Sequence, residues 1–368
     1  MFEFLYSNYE MPGFFRLFGF VSFRALLAAL FSMGLTFFLG DYFIGRLKKL
    51  NFQETIRSDG PTSHQSKAGT PTMGGLLILF SLTASCILFG NLSNHYFVIL
   101  LLCTLGLGTI GFVDDYSKAV LKKKNGMNAR LKMVLTLMVA SAFLILYLMF
   151  TPQNISGTNI EYNKTGLFIP FLKGQLIDLS VYLAFPFWLC VVVGSVHAVN
   201  LTDGLDGLAI GTVSIVAVTM GIMAYLTGSP RLANYLNIPV VLSGHEISVF
   251  LAALTGAGVG FLWFNAAPAQ VFMGDTGSLA LGGVLGMTAI ILKKEILLVV
   301  MGGVFVMEAL SVILQVASFK IRKKRIFKMS PLHHHFELKG WPETRVVVRF
   351  WLIGLILSLV SLSTLRVQ

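Results

Sequence analysis

Residues 96–116 read YFVILLLCTLGLGTIGFVDDY: eighteen residues without a formal charge, then Asp114 and Asp115. At 1.5 Å per residue the uncharged run makes a helix of about 27 Å, close to the ~30 Å hydrocarbon core of a bilayer. Inside lipid every backbone N–H and C=O must find a partner within the segment, so the run is a helix. Working outward, about ten such runs appear, at 22–44, 73–90, 96–113, 132–150, 179–198, 208–227, 247–264, 279–293, 295–318 and 346–364. The eighth is predicted to be the shortest. Hydrophobic residues make up 55% of the chain and charged residues 12%, about half the charge of a soluble domain. The predicted fold is therefore all-α, a polytopic integral membrane protein forming one membrane-embedded domain over residues 1–368. No Pro/Ser-rich linker or internal repeat divides it, which weighs against a transporter built from inverted repeats.

Orientation follows from the basic residues. The segments 45–72, 114–132 and 319–349 hold 5, 6 and 9 Lys and Arg, together 20 of the 28 in the chain. Cytoplasmic loops carry that excess, so this face is predicted to be cytosolic and both termini to lie on the outer, periplasmic side. The net charge of +11 is then mainly a topology signal, with contact to anionic headgroups second. Nucleic acid is not an expected partner, because the basic residues are divided among loops that return to lipid. Cys86, Cys103 and Cys190 fall inside the runs and read as small apolar residues, without disulfide or metal spacing. The first 20 residues lack a basic leader and are expected to be retained at the outer interface.

Only 17 acidic residues occur in 368. Those at membrane edges follow the third, fifth and seventh runs, which leave the bilayer on one face. Asp114 and Asp115 are predicted at a helix C-terminus, the unfavourable end for an anion, and they repel each other. A divalent cation or a proton-transfer role would explain that cost; a solvated helix end is the plainer reading. Asn200-Leu201-Thr202-Asp203-Gly204-Leu205-Asp206-Gly207 is a tight Asp-Gly turn or a polar pocket for a metal or a hydroxyl-rich ligand. In Asn265 to Ser278, Asp275 lies between Gly274 and Gly277 on an expected loop where backbone can approach a ligand, and Phe272 offers a face for a base. Carboxylate oxygens suit Mg²⁺, which keeps several waters and binds substrate phosphates. Before the second run, Thr72 could cap the helix, with Lys67 as counter-charge to a phosphate at its N-terminus, although a Gly/Pro-rich turn explains the same residues. Lys118, Lys122 and Lys132 could hold a pyrophosphate. His333, His334 and His335 follow the ninth run; their spacing suits hydrogen bonds to phosphate or sugar rather than zinc.

Taken together, the Asp-Asp-Tyr, Asn-Leu-Thr-Asp-Gly-Leu-Asp-Gly and Val-Phe-Met-Gly-Asp-Thr-Gly-Ser strings resemble the polyprenyl-phosphate N-acetylhexosamine-1-phosphate transferase superfamily, across essentially the whole chain. The triple histidine resembles the muramoyl-pentapeptide branch rather than the GlcNAc-phosphate branch. The resemblance implies a phosphotransferase of peptidoglycan synthesis in the bacterial cytoplasmic (inner) membrane, its active site facing the cytosol. Its partners would be UDP-N-acetylmuramoyl-pentapeptide, undecaprenyl phosphate and the lipid bilayer, with a homodimer admitted, and its cofactor Mg²⁺. Asp275 would hold Mg²⁺ against the donor pyrophosphate, with Asp114 and Asp115 as further ligands or, for Asp114, as the group that deprotonates or orients the lipid phosphate. Asn200, Asp203, Asp206, Asn265, Phe272 and Gly274 would line the nucleotide pocket. Lys67, Thr72, Lys118, Lys122, Lys132, His334 and His335 would surround phosphates and sugar, and His333 would act in catalysis. A UDP-GlcNAc transferase shares the chemistry without the three histidines. A nucleotide-sugar or lipid transporter would place acids near the bilayer midplane, where only Glu308 lies.

Overall fold

The computed structural model describes residues 13–50, 52, 69–121, 126–151, 154–155, 162–169, 176–236 and 238–366. Thirteen α-helices occur among them. They are α1 (Val21–Lys49), α2 (Gly75–Phe89), α3 (His95–Ala119), α4 (Ala129–Phe150), α5 (Val181–Thr202), α6 (Leu208–Gly228), α7 (Pro230–Leu236), α8 (Glu246–Asn265), α9 (Gly274–Ile291), α10 (Glu295–Met301), α11 (Gly303–Arg322), α12 (Leu332–Glu337) and α13 (Glu343–Ser363). Nine are long and apolar enough to cross a membrane, and α2 is a shorter apolar helix of 15 residues. The chain is thus a multi-pass membrane protein. Four short strands pair as two antiparallel ribbons, β1 (Asn154–Ile155) with β2 (Tyr162–Asn163) and β3 (Gly166–Phe168) with β4 (Leu176–Asp178).

Several boundaries differ from the sequence reading. Among the apolar helices of ten residues or more, the shortest is the second, with 15 residues, and the eighth has 18. The third run continues as helix to Ala119, with Asp114 and Asp115 in its last turns, near the helix C-terminus as expected. The eighth begins at Gly274, so Asp275 stands in the first turn of α9 rather than in a loop. An anion there meets the favourable end of the helix dipole. The ninth run is broken at Gly302 into α10 and α11.

Helix α9 is the centre of the molecule, with every residue from Thr276 to Ile291 buried. Its neighbours, rather than lipid, surround it on every side. Its small residues bring neighbours close: Gly282 and Gly286 abut the α5 backbone around Val192 to Val196, and Gly283 abuts Leu107 of α3. Gly256 and Gly260 of α8 do the same against Ala29 and Met33 of α1.

At the end of the bundle far from Asp275, buried charges tie the helices together. Arg24 donates to both carboxylate oxygens of Glu246, at 2.7 and 2.5 Å, and to the Phe89 carbonyl at 3.1 Å, joining α1, α8 and α2. Lys293 stands 4.7 Å from the centre of the Trp188 ring and 3.8 Å from Glu295, and donates to the Lys164 carbonyl. Trp188 Nε1 donates to the same Glu295 at 3.1 Å, so α5 is fastened to the α9–α10 connection. The start of α1 and the end of α13 lie at this end as well, opposite the acidic motifs.

Candidate active site

Two helix ends meet at the site. Gly111 of α3 packs so closely on the first turn of α9 that a Cβ there would overlap the Asp275 carbonyl. This contact brings the Asp115 carboxylate over the open N–H groups of α9. Asp115 Oδ1 accepts the Asp275 N–H at 3.1 Å, and Oδ2 accepts the Thr276 N–H at 2.9 Å and the Thr276 hydroxyl at 2.7 Å. The α9 N-cap residue, Met273, supplies no side-chain cap; Asp115 performs that task from another helix, an anion at the positive end of the dipole. Gly274 turns the chain into α9 with φ of 75°, and a Cβ on it would meet Asp115 Oδ2 at 2.6 Å and Thr72 Oγ1 at 3.0 Å.

Adjacent residues on a helix point about 100° apart, so Asp114 faces elsewhere. Its Oδ1 accepts the Met127 N–H at 2.5 Å. Its Oδ2 lies 2.9 Å from Lys118 Nζ and 2.6 Å from Lys132 Nζ, and both ammonium groups stand at the same distances from Asp275 Oδ2. Asp275 Oδ1 accepts from Asn200 Nδ2 at 2.6 Å, and that amide also donates to Ser278 Oγ at 2.8 Å. One oxygen from each of Asp114, Asp115 and Asp275 falls within 4.8 Å of the others. An all-oxygen set of this kind suits a hard cation such as Mg²⁺. Asp114 and Asp275 fit that role directly, whereas the Asp115 oxygens are occupied by the α9 N-terminus.

The remaining predicted residues divide. Asn200 belongs to the acidic cluster rather than to a separate pocket. Asp206 Oδ2 accepts the Ala269 N–H at 3.0 Å, and Asn265 binds the Gly207 N–H and the Val271 carbonyl at 3.0 and 2.9 Å. Both are buried braces between the 203–207 and 266–273 loops, because two tight turns leave backbone groups that only side chains can satisfy. Thr72 does not cap α2: the cap position is Gly74, and the N–H groups of Gly74 and Gly75 are taken by the Phe272 and Met273 carbonyls. That start of helix therefore offers no open N–H pair to a phosphate, and Phe272 is held by its backbone against Pro71. Asp203 closes the end of α5. Lys67 and Lys122 lie outside the described residues.

The histidines stand beside the same loop. His333 is fully buried, its Nε2 against the Cα of Gly204, which has no room for a side chain. Glu308 of α11 accepts the His333 backbone N–H at 3.2 Å and lies 3.2 Å from its Nδ1, off the line of a hydrogen bond, so neither buried ring nitrogen has a hydrogen-bond partner. His334 Nδ1 contacts Glu337 at 2.8 Å. His335 Nδ1 accepts the Lys328 N–H at 3.1 Å, and burial with the charges of Lys339 and Lys328 holds this ring below the ordinary imidazole value, as an acceptor requires. The strip thus runs from the acid–lysine cluster through Asn200 and Gly204 to His333.

Sequence reasoning missed four groups. Ser278 and the Met127 N–H serve the cluster, and Glu343 accepts the Asp206 N–H at 2.8 Å. His197, one turn before Asn200 on α5, carries a buried ring Nε2 with no hydrogen-bond partner. Two of them had a signal in the sequence: Ser278 closes a motif string, and His197 is a polar residue three positions from a motif asparagine.

Residues 97–293 match the family described as Glycosyl transferase family 4, and residues 67–79 match signature 1 of phospho-N-acetylmuramoyl-pentapeptide-transferase. Proteins of that name are similar over the full length of both chains. The one from Leptospira biflexa is 54% identical, that from Desulforapulum autotrophicum 49% and that from Thermodesulfovibrio yellowstonii 48%, each covering 100% of this chain and 100% of its own.

Proposed function

Because the chain belongs to the phospho-N-acetylmuramoyl-pentapeptide-transferase family, we propose that it transfers phospho-N-acetylmuramoyl-pentapeptide from its UDP donor to undecaprenyl phosphate, giving lipid I and UMP. An acceptor phosphate oxygen forms a bond to the sugar-bearing phosphorus of the donor, and the bond from that phosphorus to the UMP oxygen breaks. The observation that carries the reading is the convergence of Asp114, Asp275, Lys118 and Lys132 at one end of apolar helices. A polyprenyl tail reaches such a site sideways from lipid while the nucleotide comes from water.

Phosphoryl transfer asks mainly for positioning and charge neutralisation. Asp275 and Asp114 would hold Mg²⁺, which supplies Lewis-acid polarisation of the phosphate oxygens when bound. Asn200 keeps the Asp275 carboxylate in one orientation, and Asp115 fixes the α9 turn that carries it. Lys118 and Lys132 neutralise phosphate charge, and Asp114 orients the acceptor phosphate. His333, buried behind Gly204 and backed by Glu308, supports the 203–207 loop, which with Asp203 and Phe272 would stand around the nucleotide. The site faces the cytosol of the bacterial inner membrane in this reading, which agrees with the basic loops at the same end.

The test is a radiolabelled transfer assay with purified protein. UDP-N-acetylmuramoyl-pentapeptide should yield a lipid-extractable product only with undecaprenyl phosphate, and a chelator should stop it. Efficient transfer from UDP-GlcNAc instead would move the chain to the neighbouring branch.

A further inference from the structure

Lys118 and Lys132 come from different helices to the same two oxygens. Their ammonium groups bridge Asp114 Oδ2 and Asp275 Oδ2 at 2.6 to 2.9 Å. These oxygens are the ones a divalent cation would use, and an oxygen already hydrogen-bonded to two ammonium groups has little room for a metal at about 2.1 Å. The charge count says the same. Asp114, Asp275 and the two ammonium groups sum to zero, and Asp115, within 4.8 Å, adds at most one negative charge, so a dication leaves an excess of +1 to +2 beside Asp114, whose side chain is 0% exposed. Uncompensated charge in such surroundings is costly. The pyrophosphate diester of a nucleotide-sugar carries about two negative charges, which offsets that excess and offers oxygens to both lysines.

The two partners differ in freedom. The carboxylates are fixed, Asp114 by the Met127 N–H and Asp275 by Asn200. The lysines are long, and the side chains of Lys118 and Lys132 are 38% and 16% exposed. Any rearrangement therefore falls to the lysines.

We propose that Lys118 and Lys132 are place-holders: they occupy the cation position in the nucleotide-free protein and release the carboxylates when a pyrophosphate takes the ammonium groups. The inference rests on the metal reading above and adds an order to it. Cation and donor assist each other, and by linkage the assistance is mutual. A free cation is held weakly, so the carboxylates are screened until the anion to be activated is present.

The experiment uses full-length protein in detergent without nucleotide and Mn²⁺ as the probe, its free concentration read by electron paramagnetic resonance. Lys132→Met should bind Mn²⁺ at least about 10-fold tighter than wild type, within the usual range of coupling between sites. Lys118→Met should shift in the same direction by less, since its more exposed side chain is better screened. Thermal melts show that each variant is folded, and Lys118→Met stands in if Lys132→Met is not. Wild-type affinity for UDP should rise about 10-fold with Mn²⁺ present, and less so in Lys132→Met. Folded variants that bind Mn²⁺ no tighter than wild type overturn the place-holder role. Failure of the underlying metal reading looks different: Mn²⁺ binding would then survive Asp275→Asn in both wild-type and Lys132→Met backgrounds.

Discussion

Two neighbouring aspartates with the same chemistry have different work because a helix turns between them. Asp115 spends three hydrogen bonds on the start of α9, while Asp114 faces Lys118 and Lys132. Asp115→Ala leaves two N–H groups and a hydroxyl without their acceptor, at about 1–3 kcal/mol for each buried group so stranded. The melting temperature should fall clearly, while Mn²⁺ affinity of the folded fraction changes less than about 10-fold, the span of an indirect effect. Loss of Mn²⁺ binding with an unchanged melt would make Asp115 a ligand. Asp275→Asn is the opposite case. The amide keeps the shape and discards the anion, so turnover at ordinary Mg²⁺ should drop by at least ~10², the scale of one lost electrostatic contact to a transition state. Steady-state rates on purified protein at several Mg²⁺ concentrations check this, and near-normal activity removes Asp275 from the metal site.

Between residue and molecule, the elements succeed by coming close. Gly111 is the point at which α3 touches the first turn of α9, with the Asp275 backbone where its Cβ would be. Gly111→Ala pushes the two helices apart, and a shift of about 1 Å in reacting groups can cost ~10²-fold in rate. The expected result is a folded, membrane-inserted protein with severely reduced transfer; wild-type rates would mean that this contact does not set the geometry. At the far end the Arg24–Glu246 pair offers a contrasting case. Glu246→Ala strands a buried guanidinium and should destabilise by about 3–5 kcal/mol, whereas Arg24→Met with Glu246→Leu recovers most of the loss by packing. Thermal melts of the single and double variants decide it: if the double variant is as unstable as Glu246→Ala, the loss is not one of an unpaired charge.

For the whole molecule the parity of the helices puts Ser117 and Gly340 at the end that holds the acidic cluster and Ser93 at the other. Cysteines introduced at Ser117 and Gly340 should react with an impermeant thiol reagent only from the cytosol, and one at Ser93 only from outside. Labelling of Ser117 and Ser93 from one side would overturn the topology. The apolar runs, their approximate ends, the basic asymmetry and the strings around Asp114, Asp203 and Asp275 were all legible in the sequence. Helices in lipid close their hydrogen bonds locally, and a bilayer asks each to reach roughly across its hydrocarbon core. What remained hidden was every pairing between segments. Nothing near Asp115 in the chain says that its acceptors serve Asp275 and Thr276, 160 and 161 residues away. Likewise, Asp206 and Asn265 read as pocket residues until their partners, Ala269, Gly207 and Val271, showed them bracing loops. The sequence by itself determined that this is a membrane protein with acids gathered on one face. Only the tertiary structure decided which groups each acid meets, because a carboxylate's partners are set by the segments that folding brings against it.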